Sequence, residues 1–199
     1  MSERPVSNMQ DHIPSSSRPR RLALAGLAVL LAFGGLGLGG LAPSSTASAQ
    51  EVGPSGLPLP RFVSLRANRV NLRVGPGTNY AVEWMYLKSG LPMEIIQEYD
   101  NWRRVRDAEG AEGWINQSLL SGSRTAVVAP WHKGKDDVQI NLYGEANRAA
   151  AIRAYLEPGV VGSIRACNGE WCEMEFAGNR GWIEQAQVWG AYPGETYTN

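Results

Sequence analysis

The residues that most often carry chemistry in enzymes are sparse in this sequence. It contains two cysteines, Cys167 and Cys172, and two histidines. Only one of the histidines, His132, lies beyond residue 49, so the predicted mature chain cannot complete a four-ligand structural zinc site from Cys and His without added carboxylates. The Gly-x-Ser-x-Gly and His-Glu-x-x-His patterns and the phosphate-cradling glycine loops are absent as well. We therefore expect no catalytic set, no metal and no cofactor, although the many carboxylates leave an Asp/Glu site open as the alternative.

The aromatic residues point to binding rather than to catalysis. Seven Trp and seven Tyr stand against three Phe. Trp and Tyr carry a polar edge on a large apolar ring, so they often sit half-buried at surfaces and in binding grooves. The elements that would position these rings must be read from the rest of the sequence.

The N-terminal segment, residues 1–49, has the pattern of a targeting signal. Three arginines within residues 18–21 precede an uncharged stretch over 22–42, and Ala47-Ser48-Ala49 supplies a small-x-small motif. This order is typical of a secretory signal peptide, so we predict cleavage between Ala49 and Gln50 and export to the periplasm. The alternative is an uncleaved N-terminal membrane anchor. Whether export uses the Sec or the twin-arginine route stays open.

The charge balance excludes two classes of function. The sequence has 19 Lys+Arg and 19 Asp+Glu, and the predicted mature chain has 15 and 17. Nucleic-acid carriers and polybasic membrane binders work through excess positive charge. The arginines beside Trp102 are balanced by nearby acidic residues, and export removes the chain from nucleic acid. We expect no nucleic-acid partner and, after cleavage, no membrane contact.

From Phe62 onward two stretches repeat each other. Trp102 recurs as Trp171 at an offset of 69, and Gly113-Trp114-Ile115 recurs as Gly181-Trp182-Ile183 at an offset of 68. This spacing indicates a tandem duplication of a unit near the lower size limit for a domain with its own core. The predicted organisation is a linker at 50–61, a first unit at 62–122, an inter-domain segment at 123–136, a second unit at 137–190 whose strands could begin at 124, and a tail at 191–199.

Each unit shows the pattern of strands. Short runs rich in β-branched and aromatic residues are separated by Gly, Asp and Asn, and no ten-residue window keeps a helical stripe. Gly75-Pro76-Gly77 predicts a turn, and Asn168-Gly169 predicts a hairpin. The fold class that follows is all-β, with small barrels.

These motifs resemble the bacterial SH3 domain (SH3b). The first unit carries Asn-Leu-Arg-x-Gly-Pro within residues 70–78, followed by Gly113-Trp114-Ile115. The second keeps Ile140-Asn141-Leu142, but Tyr143 stands where the first has Arg73, and the Gly-Pro turn is lost. The resemblance is closest to tandem, secreted SH3-like proteins of Gram-negative bacteria. It implies two SH3-like barrels in tandem after a signal peptide.

The resemblance also suggests where a ligand would bind. Trp102 and Trp171 each start a predicted strand. In the general SH3 architecture the Trp at the start of the corresponding strand lines the ligand groove, which makes Trp102 and Trp171 the better candidates. The alternative is that the repeated Trp rings belong to the core or its rim. The full set of groove candidates is Arg73, Tyr80, Trp84, Tyr86, Trp102, Trp114, Trp171 and Trp182.

A polyproline ligand is not expected. SH3 domains that bind Pro-rich peptides carry Pro and Tyr just after the Gly-aromatic-Ile segment, where they make an aromatic-lined slot. Here those positions hold Asn116 and Leu119 in the first unit, and Glu184 and Gln187 in the second.

The two cysteines flank the Asn168-Gly169 turn. In an exported chain an even pair of cysteines normally closes a disulfide, so we predict a bond between Cys167 and Cys172. A redox-active dithiol is disfavoured because the spacing is not Cys-x-x-Cys. The first unit has Glu98 and Arg103 at the matching places, so the fold does not require the bridge.

Related SH3b domains bind peptidoglycan or target cell-wall hydrolases, and no hydrolase is attached here. The resemblance therefore implies a non-catalytic envelope module that binds peptidoglycan or an envelope protein. A structural adaptor with no wall binding is the main alternative, and a cell-wall enzyme is the third.

Overall fold

The computed structural model describes residues 51–135 and 137–198, which all belong to one compact unit. The predicted signal peptide and its cleavage site at Ala49 and Gln50 lie outside the described residues. No helix in the described part of the chain is both long and apolar enough to cross a bilayer.

The first half of the described chain forms nine strands. They are β1 Glu51–Val52, β2 Pro58–Leu59, β3 Arg61–Leu65, β4 Val70–Arg73, β5 Val82–Tyr86, β6 Pro92–Tyr99, β7 Trp102–Arg106, β8 Glu112–Asn116 and β9 Leu120–Ser121. The first barrel is a seven-stranded antiparallel sheet with the order β5-β4-β8-β7-β6-β3-β9. A separate hairpin, β1 and β2, precedes it, and a short 3-10 helix at Gln117–Leu119 leads into its last strand.

The strands of the second barrel are β10 Thr125–Val128, β11 Ile140–Tyr143, β12 Ile152–Leu156, β13 Val161–Asn168, β14 Trp171–Phe176, β15 Asn179–Glu184, β16 Val188–Trp189 and β17 Thr196–Thr198, with 3-10 helices at Pro130–His132 and Gln185–Gln187. This barrel repeats the first strand for strand, in the order β12-β11-β15-β14-β13-β10-β16. One further strand, β17, pairs with β13. The prediction of an all-β chain with two SH3-like barrels in tandem is confirmed.

Three stretches outside the predicted units also form strands. β10 lies in the stretch assigned to an inter-domain segment, after residue 124, the alternative start given for the strands of the second unit. It occupies the place in the second barrel that β3 occupies in the first. All four of its residues are buried, as expected for a short apolar run inside a barrel. β1 and β2 lie in the predicted linker, and β17 lies in the predicted tail.

The Gly-Trp-Ile landmark repeats because two strands approach each other closely there. A Cβ at residue 113 would stand 2.6 Å from Leu72 Cγ, and a Cβ at residue 181 would stand 2.8 Å from Leu142 Cγ. Only glycine leaves room for these two leucines, which are fully buried at the centre of the two cores. Each such core side chain contributes roughly 1.5–3 kcal/mol by leaving water.

The two barrels meet around the buried ring of Phe62 on β3. Its centroid lies 5.0 Å from that of Trp189 and 4.7 Å from that of Tyr192, and the Arg124 guanidinium lies 5.6 Å from the same centroid. The Tyr192 hydroxyl donates a 2.9 Å hydrogen bond to Glu94 Oε1 of the first barrel. We call these five residues the inter-barrel joint.

Removal of the Tyr192 hydrogen bond tests whether the inter-barrel joint stabilises the fold. We expect Tyr192→Phe to lower the free energy of unfolding by about 1.5–3 kcal/mol, because it removes a hydrogen bond to a buried carboxylate. Tyr99→Phe is the matched control, since Tyr99 is 55% exposed. Guanidinium unfolding of both variants and wild type measures the difference. Equal midpoints for the two variants would contradict this role for Tyr192.

Candidate functional site

Three neighbouring strands of the first barrel bring several of the predicted site residues onto one surface. Arg104 on β7 lies opposite Trp114 on β8, and Trp114 lies opposite Arg73 on β4. One step along the sheet, Trp102 lies opposite Tyr99 on β6. Directly paired residues of antiparallel strands point to the same side of the sheet. We call this surface of Arg73, Tyr99, Trp102, Arg104 and Trp114 the Arg–Trp face.

Strand alternation explains why these side chains point outward. On β7 the two residues between the outward ones, Arg103 and Val105, are buried. On β8 the buried residues are Gly113 and Ile115, on either side of Trp114. Because side chains alternate across a strand, the neighbours of these buried residues, Trp102, Arg104 and Trp114, must face away from the core. Trp102 and Trp114 are each partly buried.

Arg73 has a local structural role and also leaves a positive charge on this face. Its Nη1 donates to the backbone oxygens of Thr78, at 3.1 Å, and Tyr80, at 2.6 Å, and so closes the loop after β4. The Tyr80 ring covers Gly75, where a Cβ would collide with it. Among the described residues no carboxylate lies within ion-pair distance of Arg73, so its charge is not compensated there.

Arg104 contributes a second guanidinium, which is paired. Its Nη2 lies 2.9 Å from Glu112 Oε2, and both side chains are well exposed to solvent. An exposed pair of this kind is worth little and can exchange partners readily. Arg104 therefore remains available to a ligand.

Two of the groove candidates lie elsewhere. Trp84, 60% exposed, and Tyr86, which is buried, line a cleft of about 390 Å³ between the two barrels. The Tyr86 hydroxyl donates a 2.9 Å hydrogen bond to Asp107 Oδ2. Burial and this carboxylate raise the pKa of Tyr86. The predicted candidates in the first barrel thus divide between two separate places.

The equivalent face of the second barrel differs in both charge and access. Trp171 is only 8% exposed, and its ring lies edge-on to that of Tyr143 with the centroids 5.5 Å apart. Tyr143, which stands at the position of Arg73, lies opposite Trp182. A ring covered in this way is not an open stacking surface. Glu173 also stands where the first barrel has Arg104, and it pairs with Arg180 at 2.7 Å.

Two members of the Arg–Trp face, Tyr99 and Arg104, were not among the groove candidates. The signal that identifies them is the hairpin at Asp100-Asn101, which sets Tyr99 opposite Trp102. Arg104 then follows Trp102 by two residues and shares its side of the sheet.

Residues 66–122 and 136–190, together more than half of the sequence, match the family model described as Bacterial SH3 domain. The chain belongs to the bacterial SH3 domain family. Such domains suggest a binding module.

Solved structures add little to this assignment of a bacterial SH3 chain. NlpC2 from Trichomonas vaginalis is 17% identical over 65% of this chain and 48% of that chain, with a TM-score of 0.29. NlpC1 from the same organism is 16% identical over 73% and 48%, with a TM-score of 0.30. An NlpC/P60 family protein from Bacillus cereus is 8% identical over 64% and 55%, with a TM-score of 0.28.

This bacterial SH3 chain therefore spans about half the length of the solved structures that it matches. At these TM-scores the likeness carries no argument about activity. No curated protein matches the sequence. Within residues 51–135 and 137–198 there is no group of three or more His, Cys, Asp or Glu side chains placed to hold a metal ion.

The two SH3 barrels cross-link the same pair of positions in different ways. Cys167 and Cys172 form the predicted disulfide, which is confirmed. In the first barrel the matching pair is ionic, with Arg103 Nε 3.1 Å from Glu98 Oε1. Glu98 also accepts hydrogen bonds from Arg61, at 2.6 Å, and from the backbone and side chain of Ser55, both at 2.8 Å.

These contacts determine how Glu98 titrates. Burial alone would raise the pKa of this carboxyl, but the hydrogen bonds from Ser55 and Arg61 outweigh burial and lower it. The unfolded chain therefore binds a proton at a higher pH than the folded chain does. The stability that Glu98 contributes is complete above the pKa of an unfolded Glu, about 4.3, and is lost as the pH falls through the lower folded value.

The pH dependence of unfolding tests this. We expect the free energy of unfolding of the wild type to fall as the pH drops below about 5, and Glu98→Gln to show a smaller fall from a lower starting stability. Glu109→Gln, which changes an exposed carboxyl, should keep the wild-type slope. Denaturant titrations at a series of pH values measure both, and parallel curves for wild type and Glu98→Gln would contradict the assignment.

Removal of the disulfide is the matching test in the second barrel. Closing so short a loop stabilises the folded state by roughly 2 kcal/mol in the chain-entropy model. We expect reductant to lower the unfolding free energy of wild type by that amount and to leave a Cys167→Ala, Cys172→Ala double variant unchanged. Unfolding curves with and without reductant measure this. Two thiols alkylated without prior reduction would contradict the bond itself.

Proposed function

We propose that this bacterial SH3 chain is a non-catalytic binding module of the cell envelope that contacts its ligand through the Arg–Trp face. The observation that carries the proposal is the position of Arg73. It places a guanidinium that has no carboxylate partner in the described part of the chain beside Trp114, on the same side of the sheet as Tyr99 and Trp102. We propose the first barrel, rather than the second, as the ligand-binding half.

The chemistry of this face suits a ligand that has both ring surfaces and anionic groups. Exposed indole and phenol rings offer flat apolar area with a polar edge at low conformational cost. A guanidinium binds a carboxylate through two parallel hydrogen bonds. Peptidoglycan presents sugar rings and peptide carboxylates side by side, and it is the ligand we favour. An envelope protein with an acidic, aromatic-rich surface would meet the same requirements.

Two features support a non-catalytic role after export. Both thiols are consumed in a buried disulfide, a bond that persists in oxidising compartments such as the periplasm. His132, in the 3-10 helix that follows β10, has Lys135 Nζ at 3.3 Å from its Nδ1 and, among the described residues, no carboxylate as a hydrogen-bond partner. A general base would need such an orienting partner.

The main alternative is an adaptor that presents the two barrels to another protein and does not touch the wall. The inter-barrel joint supports the adaptor, because it holds the two barrels together as one body. A cell-wall enzyme is the third possibility. One experiment separates the three, because each predicts a different outcome on purified sacculi.

Retention on purified sacculi tests the proposal. We expect wild type to be retained, and Trp102→Ala and Trp114→Ala each to weaken binding about tenfold or more, as for aromatic residues at the centre of an interface. Trp131→Ala is the matched control, because Trp131 is 51% exposed but lies outside the Arg–Trp face. Trp171→Ala is unsuitable, since loss of that buried ring would act through stability.

Two different results would contradict the two parts of the proposal, wall binding and the non-catalytic role. If wild type and Trp102→Ala show the same negligible retention, wall binding fails and the adaptor remains. If the incubation releases soluble peptidoglycan fragments, the non-catalytic role fails.

A further inference from the structure

The cleft between the two barrels is separate from the Arg–Trp face and has a chemistry of its own. Trp84 and Tyr86 on β5 and Met93 on β6 form one wall, and Val127 on β10 and Val161 on β13 form the other. Its volume of about 390 Å³ is large enough for a small ligand or one long side chain. Neither barrel alone contains this cleft.

The rim of the cleft is acidic on the side of the first barrel. Asp107 and Glu109, in the turn between β7 and β8, both line it. Asp107 is held in place, since its Oδ2 accepts from the Tyr86 hydroxyl and its Oδ1 accepts from the backbone N–H groups of Glu109 and Ala111, all at 2.9 Å. The Glu109 carboxylate has none of these constraints and is exposed.

A lysine of the second barrel already lies in this cleft. Lys133 places its ammonium on the Glu109 carboxylate. Its stem runs past Gly159, with Lys133 Cγ 3.6 Å from where a Cβ on that residue would stand. The chain itself thus shows one group that the cleft accepts, a primary ammonium on an aliphatic stem. Both partners of the ion pair are highly exposed, so little free energy holds Lys133 there.

We propose that the inter-barrel cleft is a binding site for alkylammonium groups, in which the ligand ammonium replaces Lys133 at Glu109. The aliphatic stem of the ligand lies between Met93 and Val127, and the exposed ring of Trp84 covers it. A cation near an indole face gains further attraction from the ring. The ligand is either a free amine or a lysine side chain carried on a peptide.

Charge and polarity exclude the two nearest alternatives. An anionic head group would face the carboxylates of Asp107 and Glu109. A neutral head group would leave Glu109 with Lys133 and gain only the apolar contacts of the stem. The proposal therefore predicts an order of affinity among ligands that share one stem and differ in the head group.

Titration with n-hexylammonium, 1-hexanol and hexanoate, followed by the NMR signal of the Trp84 indole N–H, tests this order. We expect hexylammonium to bind more tightly than hexanol, and in the Lys133→Ala variant, where no internal ammonium competes for Glu109, about fivefold more tightly, the difference that one exposed charge-assisted contact provides. Hexanoate should bind more weakly than either. Nα-acetyl-lysine methylamide, titrated in parallel, distinguishes a peptide-borne side chain from a free amine by which of the two amines binds more tightly.

Variants of exposed residues test the mechanism without threatening the fold. Lys133→Ala removes the internal competitor, so hexylammonium should bind several-fold more tightly. Glu109→Gln should weaken hexylammonium several-fold and leave hexanol unchanged. Trp84→Ala, followed by calorimetry because the reporter is lost, should weaken both, whereas Trp131→Ala should weaken neither.

Three results would overturn the proposal. They are equal binding of hexanoate and hexylammonium, no response of hexylammonium affinity to Glu109→Gln, or no binding of any of the four ligands. None of them bears on the Arg–Trp face, because sacculus retention of Glu109→Gln and Lys133→Ala is expected to equal that of wild type.

Discussion

Phe62 lies on the outer side of the first barrel, yet it is buried, because the second barrel brings Trp189, Tyr192 and Arg124 against it. A unit of about 65 residues buries a smaller share of its surface than a larger domain does, so each barrel alone has a limited reserve of stability. The joint adds apolar burial that neither copy has by itself. It also holds β6 and β10 at the separation that creates the cleft.

Much of the fold was predictable, because the duplicated landmarks are local. The Gly-Trp-Ile segment marks the close approach of two strands, and the turn between Cys167 and Cys172 marks their pairing. The cleft and the joint were not predictable. They depend on outward-facing residues such as Phe62 and Tyr192, whose partners lie in the other barrel. Contacts of this kind produce no repeated spacing in the sequence from which they could be predicted. The predicted groove residues fall in two places for the same reason. The sequence pattern does not separate Trp84 from Trp102, but the fold puts Trp84 in the cleft beside the other barrel and Trp102 on a different side of its own barrel.

The two copies keep the same paired positions on neighbouring strands but place different residues at them. Arg104 with Glu112 in the first barrel becomes Glu173 with Arg180 in the second, so the acid and the base have traded strands. The ionic pair of Glu98 and Arg103 becomes a disulfide. Such exchanges keep the sheet paired, because either polarity satisfies both groups. They nevertheless change what each face offers to a ligand, from an exposed arginine in the first barrel to a partly buried glutamate in the second.

The residues that close the joint come late in the chain. Tyr192 and the last strand, Thr196–Thr198, follow all the other strands of both barrels, and they tie the second barrel both to Glu94 and to its own β13. A chain made or translocated from its N-terminus completes the first barrel while its outer Phe62 is still uncovered. Docking of the two barrels therefore waits for the last residues of the described chain, and until they are in place the ring of Phe62 lacks the cover of Trp189 and Tyr192.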